Sequence, residues 1–146
     1  LVAGLLNYFG EIPDSLHEVV NQLKRTNLVV CGALGVQPNM TSDANAAQIA
    51  RVIKADFVNL TDVEGLYDND PKEHKNAKLV SSISYTDFNK IIKRIKYHAG
   101  QHFILDQVAA EIITKSKIKT VILNGKKFKN LNNFFKEKEF RGTMIN

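Results

Sequence analysis

Asp56-Phe57-Val58-Asn59-Leu60-Thr61-Asp62-Val63-Glu64-Gly65-Leu66-Tyr67-Asp68-Asn69-Asp70-Pro71 is the stretch on which the reading of this chain turns. Residues 57–60 form a short, largely apolar run bounded by polar residues, the pattern of a buried strand. The run stops at Thr61 and Asp62, and Gly65, free to adopt positive φ, lets the chain turn. A strand that empties into a loop bearing a hydroxyl, carboxylates, a Gly and a Tyr fits the ligand-binding edge of an α/β sheet, since ligands there sit outside the carboxyl ends of the strands. A plain surface turn has the same composition, so the flanking segments must decide.

Upstream, Leu28-Val29-Val30-Cys31 reads as a second buried strand. Gly32, Ala33 and Gly35 then let the backbone turn, and the loop runs through Val36, Gln37, Pro38, Asn39 and Met40 to a helix opened by Thr41, Ser42 or Asp43. A loop rich in hydroxyl and amide groups that ends at a helix N-terminus is suited to anions, because unsatisfied N–H groups converge there. Two such loops after two successive strands strengthen the ligand-edge reading.

The remaining elements follow from periodicity. Ser15 or Asp14 caps a helix whose apolar stripe is Leu16, Val19, Val20 and Leu23, with Glu18 placed for a capping box. Residues 76–84 hold a short strand, and Ser84-Tyr85-Thr86-Asp87 caps a helix with Phe88, Ile91, Ile92 and Ile95 on its core face, with Gly100 ending the region. Residues 104–115 form another amphipathic helix, residues 120–123 a buried strand stopped by Asn124-Gly125, and residues 143–145 a final strand. The helical spacing of Phe128, Leu131, Phe134 and Phe135 predicts a core face rather than a base-stacking platform. Strands alternating with helices indicate βαβ units and a largely parallel sheet covered on both faces.

The 146 residues suit one domain with a core of its own, and 44% apolar with 24% charged residues is ordinary for a globular chain. No apolar run approaches bilayer length, so no membrane is expected, and the cytoplasm is the expected location. One cysteine, Cys31, excludes an internal disulfide and suits a reducing compartment. The net charge of +5 comes from lysines interleaved with Asp, Glu and Asn, a solvated surface rather than a nucleic-acid track. There is no Gly-x-x-x-x-Gly-Lys-Ser/Thr loop, no Gly-x-Ser-x-Gly and no Cys or His set at metal-ligand spacing; His17, His74, His98 and His102 read as local surface residues.

Thr61-Asp62-Val63-Glu64-Gly65-Leu66-Tyr67-Asp68-Asn69-Asp70-Pro71 resembles the nucleotide-binding loop of the amino-acid kinase superfamily. Gln37-Pro38-Asn39-Met40-Thr41-Ser42-Asp43-Ala44 is similar to the Pro-Gly-x-Thr-Thr-Asp-Ala segment of its uridylate (UMP) kinases. Asp106-Gln107-Val108-Ala109-Ala110, the following Ile118 to Ile122, and Gly142-Thr143-Met144-Ile145 resemble later segments of the archaeal-type branch, in the same order. Asn39, Ala33, Ser42, Glu64 and Gln107 depart from the pattern, and Asn39 is the replacement for a Gly that best accepts positive φ.

The resemblance implies a three-layer α/β sandwich with a mainly parallel sheet, incomplete at the N-terminus, residues 1–146 being the C-terminal, ATP-binding part of the domain. It implies transfer of the ATP γ-phosphate to UMP. Thr61, Asp62, Tyr67 and Asp70 match ATP-binding positions, and Val36, Gln37, Pro38, Asn39, Met40, Thr41 and Ser42 the UMP segment. Asp43 matches the acidic residue that organises the catalytic centre. The cofactor would be ATP with nucleotide-bound Mg2+, no protein metal site is expected, and a homo-oligomer, a hexamer by resemblance, would be the assembly. The Gly-rich strand and basic residues that open the family pattern have no counterpart here. Another superfamily phosphotransferase, or a non-catalytic nucleotide-binding or assembly module, therefore stays open.

Overall fold

The computed structural model describes residues 2–35, 40–69, 71, 74–95 and 105–146. Of the sequence expectations, His98, His102, Gly100 and Ile104 lie outside the described residues. In chain order the elements are α1 (Val2–Leu5), α2 (Leu16–Leu23), α3 (Ser42–Ile53), β1 (Phe57–Thr61), β2 (Ser82–Ile83), α4 (Tyr85–Ile95), α5 (Gln107–Ser116), β3 (Thr120–Asn124), α6 (Phe128–Phe135) and β4 (Thr143–Ile145).

The helices begin where short polar side chains can receive their first free N–H groups. Ser15 caps α2 by accepting from the Glu18 amide at 3.3 Å, while the Glu18 carboxylate takes the Asp14 amide at 3.1 Å, a capping box set back by one residue. Ser84 receives the Asp87 amide at 3.1 Å. Asp106 caps α5 by accepting from Val108 and Ala109. α3 and α5 end on Lys54 and Lys117 in the left-handed conformation, which closes each helix before its following strand. Each such N-cap contributes about 1 kcal/mol.

Four strands form one sheet in the order β1-β3-β4-β2. β1 and β3 are parallel from Phe57↔Thr120 to Thr61↔Asn124, and β2 and β4 are parallel, but β4 runs antiparallel to β3 with Ile122 opposite Thr143. The sheet is thus mostly parallel with one reversal at its centre. α3, α4 and α5 cover one face. Ala44, Ala47, Ala50, Phe88, Ile92, Ala109, Ala110 and Ile113 from these helices meet Phe57, Ile122 and Ile145 from the strands in a single core. The alanines let α3 and α5 approach each other closely, and each fully buried Phe or Ile contributes about 1.5–3 kcal/mol.

Two expectations fail. Residues 28–31 form no strand, and Leu28 is 49% exposed. An apolar run becomes a strand only when a neighbour completes its ladder, and among the described residues β1 is the edge of the sheet on that side. The aromatic stripe of α6 is not core either: Phe128 and Phe135 are 77% and 66% exposed. Val121 and Leu123 alternate with Ile122 and turn to the second face, where α6 packs against β3. Only the Leu131 and Phe134 flank is half-buried, and Phe134 meets Phe140 edge-on at 5.1 Å. Leu60, beside Leu123 on that face, is 50% exposed while Val58 is half-buried, so among the described residues the second face is covered over β3 and open at the Leu60 end of β1.

Thr143 is the buried pin of this arrangement. Its hydroxyl donates to the Val80 carbonyl at 2.6 Å and accepts from the Leu66 amide at 2.8 Å, joining β4 to both arms of the loop between β1 and β2. Among the described residues no helix is long and apolar enough to cross a membrane. Thr143→Val, which keeps the shape and removes the hydroxyl, leaves two backbone groups without this partner and is expected to cost about 2–4 kcal/mol. Chemical denaturation would show it as a fall in midpoint that Thr143→Ser does not share.

Candidate functional site

Helix and strand directions decide where the chemistry-bearing residues meet. α3 packs on β1 and is joined to it by residues 54–56, so the helix runs down as the strand runs up. Its N-terminus therefore lies at the carboxyl end of β1. α5 bears the same relation to β3 through residues 117–119. Since β1 and β3 are parallel, both helix N-termini and both strand carboxyl ends share one rim. The other rim carries Asp56 with Lys119, 3.4 Å apart, and Tyr85, whose hydroxyl burial and the Asp56 charge push up in pKa.

On the shared rim the two helix starts are tied together. Thr41, the N-cap of α3, accepts from the Ala44 amide at 3.1 Å and donates its hydroxyl to the Asp106 carboxylate at 2.5 Å. The other Asp106 oxygen receives Val108 and Ala109 at 2.8 and 3.0 Å. One carboxylate thus caps α5 and grips the cap of α3. Asp43, in the first turn of α3, sits beside it. Burial and then the Asp106 charge raise the Asp43 carboxyl above the ordinary aspartate range, while a hydrogen bond from the Asp106 backbone pulls partly the other way. Asn45 is buried behind Thr41 and donates to its carbonyl at 3.0 Å.

The second half of the rim is the loop leaving β1. The Thr61 hydroxyl donates to Asp62 at 3.3 Å, and the Thr61 carbonyl receives the Gly125 amide at 2.8 Å. Asn124, at the end of β3, donates its side-chain amide to the Asp62 carbonyl at 3.2 Å and accepts from the Lys126 amide. Glu64, largely buried, pairs with Lys127. The loop then reaches Thr143 at the near end of β4, where a Cβ added to Gly65 would lie 2.9 Å from the Thr143 backbone nitrogen; only glycine fits there. Tyr67 is half-buried and bridges to Leu79. The loop therefore crosses the top of β3.

Of the residues singled out in the sequence, Thr41, Ser42, Asp43, Thr61, Asp62 and Tyr67 lie on this rim. Val36, Gln37, Pro38, Asn39 and Asp70 lie outside the described residues. Met40 is half-buried and packs against the core, with the Gln48 amide 4.0 Å from its sulfur. Ser42 is exposed at the first turn of α3, whereas the Thr41 hydroxyl is engaged by protein in both directions. Residue spacing missed Asp106 as a partner of Thr41. An Asp ahead of an apolar helix signals a cap, but nothing local points across the fold. Among the described residues no three His, Cys, Asp or Glu side chains are grouped to hold a metal ion.

The model of the amino acid kinase family matches residues 11–124. The chain is 34% identical over 121 residues to a uridylate kinase of Sulfurisphaera tokodaii, covering 82% of this chain and 53% of that protein. It is 36% identical over 124 residues to one of Methanoregula boonei, covering 84% and 52%. The crystal structure of uridylate kinase from Archaeoglobus fulgidus superposes with a TM-score of 0.77 at 33% identity, over 93% of this chain and 60% of that one. The chain spans about half the length of the curated relatives it matches.

Because burial and the Asp106 charge raise the native Asp43 carboxyl, its contribution is nil below the ordinary aspartate range, turns unfavourable as pH rises above that range and is fully developed above the raised native value. Asp43→Asn is therefore expected to melt above the parent at pH 7, with the gap narrowing on acidification to pH 3. A gap independent of pH would contradict this assignment; thermal melts across the range read it directly.

Proposed function

The chain belongs to the amino acid kinase family, and we propose that residues 1–146 are the C-terminal, nucleotide-binding part of a uridylate kinase that moves the ATP γ-phosphate to UMP. The observation that carries this reading is the shared rim. Phosphoryl transfer needs donor and acceptor held in line, with N–H groups and cations offsetting charge on the transferred group. Here two helix N-termini and two strand ends face one side of the sheet, and helix N-termini attract phosphate. The likeness to archaeal uridylate kinases supports the choice of acceptor.

In this reading Thr61, Asp62 and Tyr67, on the loop that crosses β3, hold ATP together with Asp70. Lys126, exposed at the rim with its backbone fixed by Asn124, carries a positive charge toward that side. Residues 36–40 and Ser42 face UMP. Thr41 contributes through the helix start it caps rather than through a free hydroxyl, and Asp43 organises the centre between the two nucleotides. Mg2+ would come bound to the nucleotide phosphates, as a small hard cation that keeps water and phosphate ligands, and would offset phosphate charge. Self-association, as a hexamer, and a cytoplasmic location belong to the same proposal.

A second reading has a specific observation behind it. Leu60 of β1 is exposed and, among the described residues, 28–31 pair with no strand, which suits a nucleotide-binding or assembly module without turnover. Calorimetry with Mg·ATP, together with coupled ADP release using UMP and CMP, separates the readings. A working kinase binds Mg·ATP and releases ADP with UMP in preference to CMP. Binding without turnover supports the module. Absence of any Mg·ATP binding would overturn both.

A further inference from the structure

We propose that Asp106 is the positioning residue of the rim: its carboxylate holds the starts of α3 and α5 at a fixed separation and keeps Asp43 in place. Its bearing on phosphoryl transfer rests on the uridylate kinase reading; the tie itself does not.

The two helices pack through Ala44, Ala47, Ala109 and Ala110, all buried. Small residues allow close approach but give little resistance to sliding along the helix axes, since they do not interlock as larger side chains do. Something else must set the axial register. Asp106 does so with one oxygen on Val108 and Ala109 and the other on the Thr41 hydroxyl. A bond from hydroxyl to carboxylate is charge-assisted and short, so it tolerates less displacement than a neutral one. Thr41 in turn accepts the Ala44 amide on one of its two lone pairs while its single proton goes to Asp106. A shift of α5 by a single residue rise, about 1.5 Å, would break the Thr41–Asp106 bond and leave the Thr41 hydroxyl free to rotate away from the Ala44 amide. Asp43 lies in the first turn of α3, two residues beyond the Thr41 cap that Asp106 grips, so the tie that places Thr41 places Asp43 as well. Asp43 and both sets of helix N–H groups are thereby referred to one residue.

Asp106→Asn separates this role from simple capping. Asparagine is as good a cap for α5, but it replaces the oxygen facing Thr41 by a donor and removes the charge. Amide hydrogen exchange on the ligand-free chain should show Ala44 exchanging about tenfold faster in Asp106→Asn, the order expected for one lost charge-assisted bond. Val108 and Ala109 should remain within about twofold of the parent, as their cap is retained. Thr41→Ser, which keeps the hydroxyl, should leave Ala44 protected. If Ala44 exchanges at the parental rate in Asp106→Asn, Asp106 caps only its own helix and the proposal fails.

Ligand affinity supplies the functional arm. Titration with UMP and with Mg·ATP should show Asp106→Asn binding at least one of them about tenfold more weakly, as loss of one positioning contact implies, and Ser15→Ala, which uncaps α2 instead, binding both as the parent does. Parental affinity in Asp106→Asn would remove the positioning role while leaving the exchange result standing. A parent that binds neither nucleotide would refute the kinase reading, and the exchange arm would still decide the tie.

Discussion

A single hydroxyl-to-carboxylate hydrogen bond ties together the starts of two helices whose strands already bring them to one rim. Thr41 and Asp106 are 65 positions apart in the chain, and each caps its own helix while one hydrogen bond joins the two caps. The consequence is electrostatic as well as mechanical. Two helix N-termini brought side by side add their unsatisfied N–H groups and the positive ends of their dipoles. Burial, and after it the charge of Asp106 alongside, works against the Asp43 charge and raises its carboxyl. A group held in that balance responds strongly to a nearby phosphate or cation.

The other half of the rim is braced from below. The loop that leaves β1 is held by Asn124 on Asp62, by Gly125 on Thr61, by Lys127 on Glu64 and by Thr143 on Leu66 and Val80. Most of these contacts come from β3, its following turn and β4, elements far along the chain. The Glu64–Lys127 pair adds little stability in itself, since removing a mostly buried carboxylate from water offsets the attraction; its effect is to fix the path of the loop over β3. That path brings Tyr67 to the same side of the sheet as Thr41 and Asp43. Had β4 run parallel to β3, Thr143 would stand at the opposite rim and could not pin the loop there.

Much of this was legible from local pattern. The caps at Ser15 and Ser84 follow from short polar side chains ahead of apolar periodicity, and β1, β3 and β4 from short apolar runs between turn formers, whereas the helix expected over 104–115 begins only after its cap at Asp106. The rim itself follows from order alone, because a helix joined to the next strand by a short link must start where that strand ends. What local pattern could not supply was the environment of each face. Residues 28–31 and the Phe128–Phe135 stripe have the right periodicity for strand and core, but periodicity identifies a face and not what covers it. The reversal at β4 and the tie between Thr41 and Asp106 are likewise relations between distant segments, set by tertiary packing rather than by neighbours in the chain.

The central claim is that one rim, at the carboxyl ends of β1 and β3, receives both nucleotides. Mapping backbone amide chemical shifts on addition of UMP and of a non-hydrolysable ATP analogue with Mg2+ tests it most directly. The account predicts that UMP moves residues 40–45 and 105–109, and that the ATP analogue moves residues 61–67 and 124–127. Shifts confined to Asp56, Lys119 and residues 84–87, on the far side of the sheet, would contradict it.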